Sequence, residues 1–314
     1  MNDNRQRNNS KKYTNSIFEE SWWLDTVSPN TWKEIFIKKD DKVAARWAVP
    51  IQKKKIRMPK LTQTIGFWID PYIIENDHYL NEQKNIILEL IDKLPSKNTV
   101  LDLDSKNHYF LPFIWKGFSV KPCVSYRIND LSNINAVYAR FNKIVKKNIK
   151  AGKNKCSVQE IDDISILYEL MRKTFQLQKR KYPIKQELLE NIYSACKKHN
   201  ACKLIYAVDN EKNVHSGALF VYDERVCYYL VAGTDPKFRS SGANSLLIWE
   251  GIKFASTVSK VFDFEGSMIE GIEHFIRQFN ATPTLYYNIR NVGIAKELFE
   301  VFKPKIKRLI GYKI

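Results

Sequence analysis

YYLVAGTDPKFRSSGANSLLIWEGIKFASTVSKVFDFEGS, residues Tyr228–Ser267, is the stretch on which the fold turns. It opens as an apolar strand ending in Ala232-Gly233. A loop rich in Ser, with Pro236 and Gly242, follows. Ala243–Ser256 then carries Leu246, Leu247, Trp249, Ile252 and Phe254 at helical spacing, and Val261–Ser267 returns as a strand. A Gly- and Ser-containing loop at a helix N-terminus presents free backbone N–H groups and the positive end of the helix dipole, which suits an anion such as a pyrophosphate. Arg239 adds a fixed charge with a planar fork. A plain strand–helix turn with a Ser/Gly cap and a surface Arg fits the same spacing.

The closing strand holds the acid–base candidates. Alternation places Phe262 and Phe264 on one face, Asp263 and Glu265 on the other. Two carboxylates that close, among aromatics, repel each other and lose water, which raises at least one pKa. That suits a general base taking a proton from an attacking amine or hydroxyl. The alternative is that Asp263 or Glu265 pairs with a Lys or Arg and only fixes the fold. Tyr228 and Tyr229 lie on opposite faces of their strand, so one faces the opening; its phenol could protonate a leaving thiolate or simply be a bonded core hydroxyl. Cys227 reads as a small buried hydrophobe, and His215 and His274 as satisfied or exposed side chains.

Outward from this stretch, the second half reads as α–α–β–β–β–loop–α–β–α–β. Ile161–Arg180 and Gln186–His199 are helices, and Cys202–Asp209, Val214–Asp223 and Val226–Gly233 are strands joined by tight turns. Glu270–Phe279 is a short helix and Thr284–Ile289 a last strand. The first half shows a blurred form of the same plan. It has strands at Val43–Val49 and Ile65–Asp70, a helix at His78–Leu94 stopped by Pro95, and strands at Asn98–Asp104 and Val120–Ile128. Leu131–Lys150 reads as a helix ending in the basic run KIVKKNIKAGKNK, with Gly152 as its stop. The expected organisation is a disordered tail at 1–16, a first domain at 17–155 and a second at 156–314. The expected fold class is α/β with mixed, mostly antiparallel sheets flanked by helices.

Of 314 residues, 51 are basic and 34 acidic, a formal charge of +17. Residues 1–155 hold 28 basic against 16 acidic residues, so the first half carries most of the excess. This charge favours phosphate-bearing partners: nucleic acid, a CoA-type co-substrate or an anionic membrane face. A Lys-rich composition with no site-specific cause fits it as well. The 44% hydrophobic content excludes a wholly disordered or fibrous chain. Five Cys without a CxxC or a His cluster argue against a disulfide scaffold or a zinc site and for reduced thiols in a cytoplasmic protein. No run of 18 apolar residues is present, and the N-terminus lacks the apolar segment of a secretory signal.

Arg239-Ser240-Ser241-Gly242-Ala243-Asn244 resembles the acyl-CoA loop Q/R-x-x-G-x-G/A of the GNAT acyltransferase superfamily, departing from it at Asn244. SWWLD (21–25), AVPIQ (48–52), PKLTQTIGFW (59–68), GTDPKF (233–238) and FDFEGSMIEGIEHFIRQFNA (262–281) together resemble its tandem branch, which includes BioF2-like acetyltransferases and is related to Fem-type peptidoglycan aminoacyl transferases. The resemblance covers residues 20 to about 290. It implies two tandem GNAT-like domains and acyl-CoA (acetyl-CoA) as co-substrate with no metal. It also implies a donor site at Arg239–Asn244, an oxyanion donor on the backbone of Leu230 or Val231, and Glu265, Asp263 and Tyr229 as the catalytic set. The related F/Y-K-x-x-F-G motif becomes Phe275–Asn280 here, with Ile276 in the Lys place and Asn280 in the Gly place.

Three functions follow. The first is acyl transfer from acyl-CoA to an amine or hydroxyl, on a small-molecule or lipid-linked sugar of the cell envelope. The second is a Fem-type aminoacyl-tRNA-dependent ligase, the one reading in which nucleic acid is a partner. The third is a basic, non-enzymatic binding module. Peripheral contact with the inner face of an anionic membrane is open in all three, as is the oligomeric state.

Overall fold

The computed structural model describes residues 13–292 apart from Gln178 and Ser267. Its second half starts with a meander. β8 (Cys202–Val208), β9 (Val214–Tyr222) and β10 (Val226–Thr234) pair antiparallel, and a short β7 (Ser157–Gln159) extends them at the edge. β9 is buried along nearly its whole length. That follows from a sheet covered on both faces, which accepts a continuous apolar run. At Gly217 the Tyr206 ring lies where a Cβ would be, 2.6 Å away.

From β10 the chain crosses over through α9 (Ala243–Val258) to β11 (Val261–Asp263), parallel to β10. α9 is apolar nearly all round because it lies between the sheet and α6 (Lys143–Lys155). The two helices meet at glycines. A Cβ on Gly152 would lie 2.9 Å from the Gly242 carbonyl oxygen and from Leu246 Cβ. Gly152 was expected to stop its helix; it lies inside α6, which runs on to Lys155, and serves this close crossing instead. The expected single helix at 131–150 is two, α5 (Ile134–Arg140) and α6, because Asn142 caps a new helix by accepting from the Ile144 N–H at 2.9 Å.

The first half repeats the crossover. β1 (Trp32–Lys39) and β2 (Lys42–Gln52) form a hairpin, and β3 (Lys55–Arg57) and β4 (Phe67–Ile69) follow on β2. The chain passes through α2 (Pro71–Asn76) and α3 (Asn81–Asp92) to β5 (Thr99–Leu103), parallel to β3. α4 (Leu111–Trp115) and β6 (Ser119–Ile128) complete it. Both halves thus share one plan: antiparallel strands, a helical crossover, then a parallel strand.

The halves join in one sheet, in the order β1-β2-β3-β5-β12-β6-β11-β10-β9-β8-β7, with β4 paired to β2. The last strand, β12 (Thr282–Asn291), lies between β5 and β6 of the first half, while β6 lies against β11 of the second. Helices cross as well. α1 (Ser21–Val27) packs on α8 (Gln186–Lys198), with Trp22 stacked on His199 at 4.3 Å. Before it, Phe18 meets Tyr228. α7 (Ile164–Leu177) covers β9 and β10.

The order expected to begin at Ile17 begins earlier. Thr14 and Ser16 are buried, and Arg225 donates to the Thr14 carbonyl at 2.5 Å. Residues 1–12 of the expected tail, and 293–314, lie outside the described residues. The strand expected at 261–267 ends at Asp263, since Glu265 and Gly266 both turn to positive φ.

Candidate active site

β10 and β11 pair over only three positions, Val226–Val261, Cys227–Phe262 and Tyr228–Asp263, and then diverge. On its other side β10 loses register. Tyr229 faces Phe220 and Val231 faces Leu219, which leaves Leu230 as an extra residue outside the ladder. Such a bulge bends its strand and re-aims its backbone. The divergence opens a cleft of about 630 Å³, floored by Tyr229 and Leu230 and walled by Arg239, Asn244, Glu265 and α10 (Glu270–Ile276). α7 closes one side with Thr174 and Leu177.

Tyr229, Leu230, Arg239, Asn244 and Glu265 are therefore brought together as the sequence implied. Of the two tyrosines, Tyr229 faces the cleft; Tyr228 is buried in the opposite layer. The Tyr229 hydroxyl donates to Asn244 Oδ1 at 2.8 Å. Burial pushes its pKa up, so it keeps its proton. Asn244, where the acyl-CoA loop carries Gly or Ala, thus fixes the phenol. Gly242 caps α9 at φ 85, and a Cβ there would lie 2.2 Å from the Asn148 carbonyl, so only Gly fits. Arg239 and Ser240 are exposed. Ser241 is buried and its Oγ accepts from the Ala243 N–H at 3.2 Å. Ala243 and Val231 are buried and outside the cleft lining.

The two carboxylates part company. Asp263 is completely buried, and it accepts from Ser125 Oγ at 2.5 Å, the Glu265 N–H at 2.7 Å, Gln63 Nε2 at 3.3 Å and Arg127 Nε at 2.6 Å. Arg127 also donates to Ser105 Oγ at 2.9 Å. Three donors meet Oδ1 and Arg127 meets Oδ2, and the ion pair offsets the cost of burying the charge. Asp263 lies outside the cleft lining. Glu265 stands at φ 59, a region that a Glu enters only when its surroundings force it. Its Oε1 is buried with no hydrogen-bond partner. Burial, and next the charge of Asp263, hold its pKa well above the carboxylate range. Gly266, at φ 60, has the Val124 carbonyl 2.4 Å from a Cβ position. Alternation along a strand missed this turn and so placed both carboxylates on one face.

Sequence reasoning also missed Gln63, Ser125 and Arg127. They lie 136 to 200 positions from Asp263, and no spacing marks them. Ile276 is buried and lines the cleft, and Arg277 lies outside the lining, donating to His274 Nδ1 at 2.9 Å. Asn280, in the Gly place, takes the left-handed φ of 55. His215 bridges Cys156 Sγ at 3.1 Å and Asp209 Oδ2 at 3.0 Å and stacks on Phe238. Cys227 is fully buried and its thiol pKa is pushed up. Among the described residues, no group of three or more His, Cys, Asp or Glu is placed to hold a metal ion.

A second cavity, about 360 Å³, is lined by Phe67 and Trp68, by Gln83 and Ile87 of α3, by Lys106–Tyr109 after β5, and by Glu224 and Arg225 of the second half.

Residues 139–268 match the family model for the acetyltransferase (GNAT) domain. No curated protein sequence matches the chain. Among solved structures, the chain is similar to FemX with a TM-score of 0.67 at 14% identity, over 96% of this chain and 98% of that one. It is similar to the C-terminal DUF2156 domain of a putative lysylphosphatidylglycerol synthetase from Agrobacterium fabrum, with a TM-score of 0.58 at 7% identity over 97% and 96%. A tandem GNAT protein from the clavulanic acid biosynthesis pathway gives 0.51 at 9% identity over 93% and 97%. At these identities the likeness is one of fold. Residues 139–268 thus resemble a GNAT acetyltransferase domain in sequence, within a chain that has the fold of tandem GNAT proteins.

Proposed function

We propose that the protein transfers an acyl group from an acyl-CoA thioester, such as acetyl-CoA, to an amine or hydroxyl of an amino sugar in cell-envelope polysaccharide synthesis, as a BioF2-like member of the tandem branch. The observation that carries this reading is the half-buried Glu265, whose Oε1 is buried without a hydrogen-bond partner, in the wall of a cleft that also carries Arg239 and the N-terminus of α9. The first-turn N–H groups of α9 and the Arg239 guanidinium would hold the donor pyrophosphate. The bulge at Leu230 would offer a backbone N–H to the thioester oxygen as charge develops on it. Glu265, once ionised, takes the proton from the acceptor nitrogen or oxygen. The new C–N or C–O bond forms, the C–S bond breaks, and the departing thiolate takes up the proton that Glu265 received. Asp263 holds the Glu265 backbone in place and does not touch the reactants.

Thiol release from acyl-CoA, assayed over a panel of amino sugars, tests the reading. Glu265→Gln is expected to lower turnover by about a hundredfold or more, the usual worth of a general base. Turnover equal to that of the parent chain would remove Glu265 from the mechanism.

One observation favours a second donor. α6 exposes Lys143, Lys147, Lys150, Lys153 and Lys155 and crosses the donor loop at Gly152 and Gly242. This row suits the phosphates of CoA, and equally those of an aminoacyl-tRNA. Competition decides between them: CoA displaces an acyl-CoA donor and leaves charged tRNA bound.

A further inference from the structure

Four large apolar side chains stand exposed on the two segments that flank the cleft. Leu177 ends α7 at 61% exposure, Met268 and Ile269 precede α10 at 60% and 63%, and Ile272 lies within α10 at 47%. Leu177 and Ile272 both line the cleft, so two segments far apart in sequence form one rim. Single exposed apolar residues are ordinary; four gathered at one opening mark a contact surface.

The charges beside this rim are one-sided. From Leu170 to Gln186 the chain carries six cations and no acid. Arg172 is paired with Glu169 and Lys173 with Asp235. Lys179, Arg180, Lys181 and Lys185 are exposed, and none forms an ion pair among the described residues. On the α10 side Glu270 is exposed, while Glu273 is engaged by the Tyr126 hydroxyl at 2.9 Å. Apolar side chains that project into water next to unneutralised cations match an anionic bilayer: the apolar groups enter the headgroup–acyl boundary and the cations meet lipid phosphates. A nucleic acid would meet the cations but leave Leu177, Ile269 and Ile272 in water.

We propose that this rim docks on an anionic lipid surface, with Leu177, Met268, Ile269 and Ile272 reaching into the interface and Lys179, Arg180, Lys181 and Lys185 on its phosphates. The cleft then opens toward the bilayer. The docking stands apart from the transferase reading; that the docked cleft takes a lipid-linked acceptor rests on it.

Co-sedimentation of the full chain with vesicles tests the docking. Binding is expected to vesicles of phosphatidylcholine with phosphatidylglycerol, to be absent with phosphatidylcholine alone, and to weaken as salt rises. Lys179→Glu with Lys181→Glu should cut partitioning about tenfold or more, given the worth of each cation near an anionic surface. Ile269→Asp should cut it comparably, and Met268→Asp reads the same insertion should that variant misfold. Lys38→Glu with Lys55→Glu, an equal charge change on strands at the far side of the sheet, should leave partitioning near that of the parent chain. No partitioning onto phosphatidylglycerol vesicles overturns the proposal. Equal losses from the rim pair and the distant pair overturn it too, since net charge alone would then bind. Acetyl-CoA binding by the same samples separates the two readings: lost vesicle binding with donor binding intact refutes the docking alone.

Discussion

Glu265 is held at φ 59 by its own N–H bond to Asp263 and by the glycine after it, with its Oε1 buried in the wall of the cleft. Its raised pKa makes a stability statement with a definite sign. The folded chain holds this proton more tightly than the unfolded one, whose Glu titrates at about 4.3. Stability is therefore full below that pH and falls as pH rises toward the folded pKa. Gln cannot ionise, so Glu265→Gln is expected to melt higher than the parent chain at pH 8 and to match it near pH 4. A melting temperature at pH 8 lower than the parent's would show that Glu265 is a buried anion with a structural partner. Glu19 acts in the same direction. It is buried beside Asp104, its pKa is raised to about 7, and the stability it confers is lost as pH climbs from its unfolded value through that range. Arg127→Ala would leave Asp263 a buried anion without its cation, at a cost of about 3–5 kcal/mol. Urea denaturation measures that cost; a loss below about 1 kcal/mol, the worth of a surface pair, would show the pair to be solvated.

The crossover elements explain where these residues stand. α9, β10 and β11 were legible because each announces itself locally: helical spacing over Leu246–Phe254, a Gly-containing loop, a short aromatic strand. The Arg239–Asn244 loop was legible for the same reason. The αL turn at Glu265 was not, because alternation carries no mark of where a strand stops, and the Gly that ends it was read as part of the strand. The crossing of α6 and α9 was equally hidden, since Gly152 in a basic run looks like a helix stop. Gly152→Val should push the helices apart and move the donor loop. The expected effect is a loss of about 1–3 kcal/mol in urea denaturation, typical of overpacking, together with weaker donor binding. Gly266→Ala should cost more for its size, because it meets both a positive φ and the Val124 carbonyl at 2.4 Å.

At the scale of the molecule the two halves are one sheet. A blurred form of the shared plan was legible in the sequence; the exchange of strands was not. Pairing between β12 and β6 joins Thr282 to Arg127 and Arg290 to Ser119, and no short-range pattern encodes a partner that distant. The same holds for α1 on α8 and for the network that joins Gln63 to Asp263. The consequence is testable. A fragment of residues 17–155 lacks the strand between β5 and β6, leaving both with open edges. It is expected to show no cooperative thermal transition by circular dichroism. A sharp transition would mean that the first half is a self-sufficient domain.

The assignment of the β10–β11 cleft as the donor site is tested most directly by calorimetric titration of the purified chain with acetyl-CoA and longer acyl-CoAs, alongside Arg239→Ala. The expected result is one saturable site, weakened about tenfold or more by the substitution, the worth of a charge-assisted phosphate contact. No binding of any thioester, or binding that Arg239→Ala leaves unchanged, would contradict it.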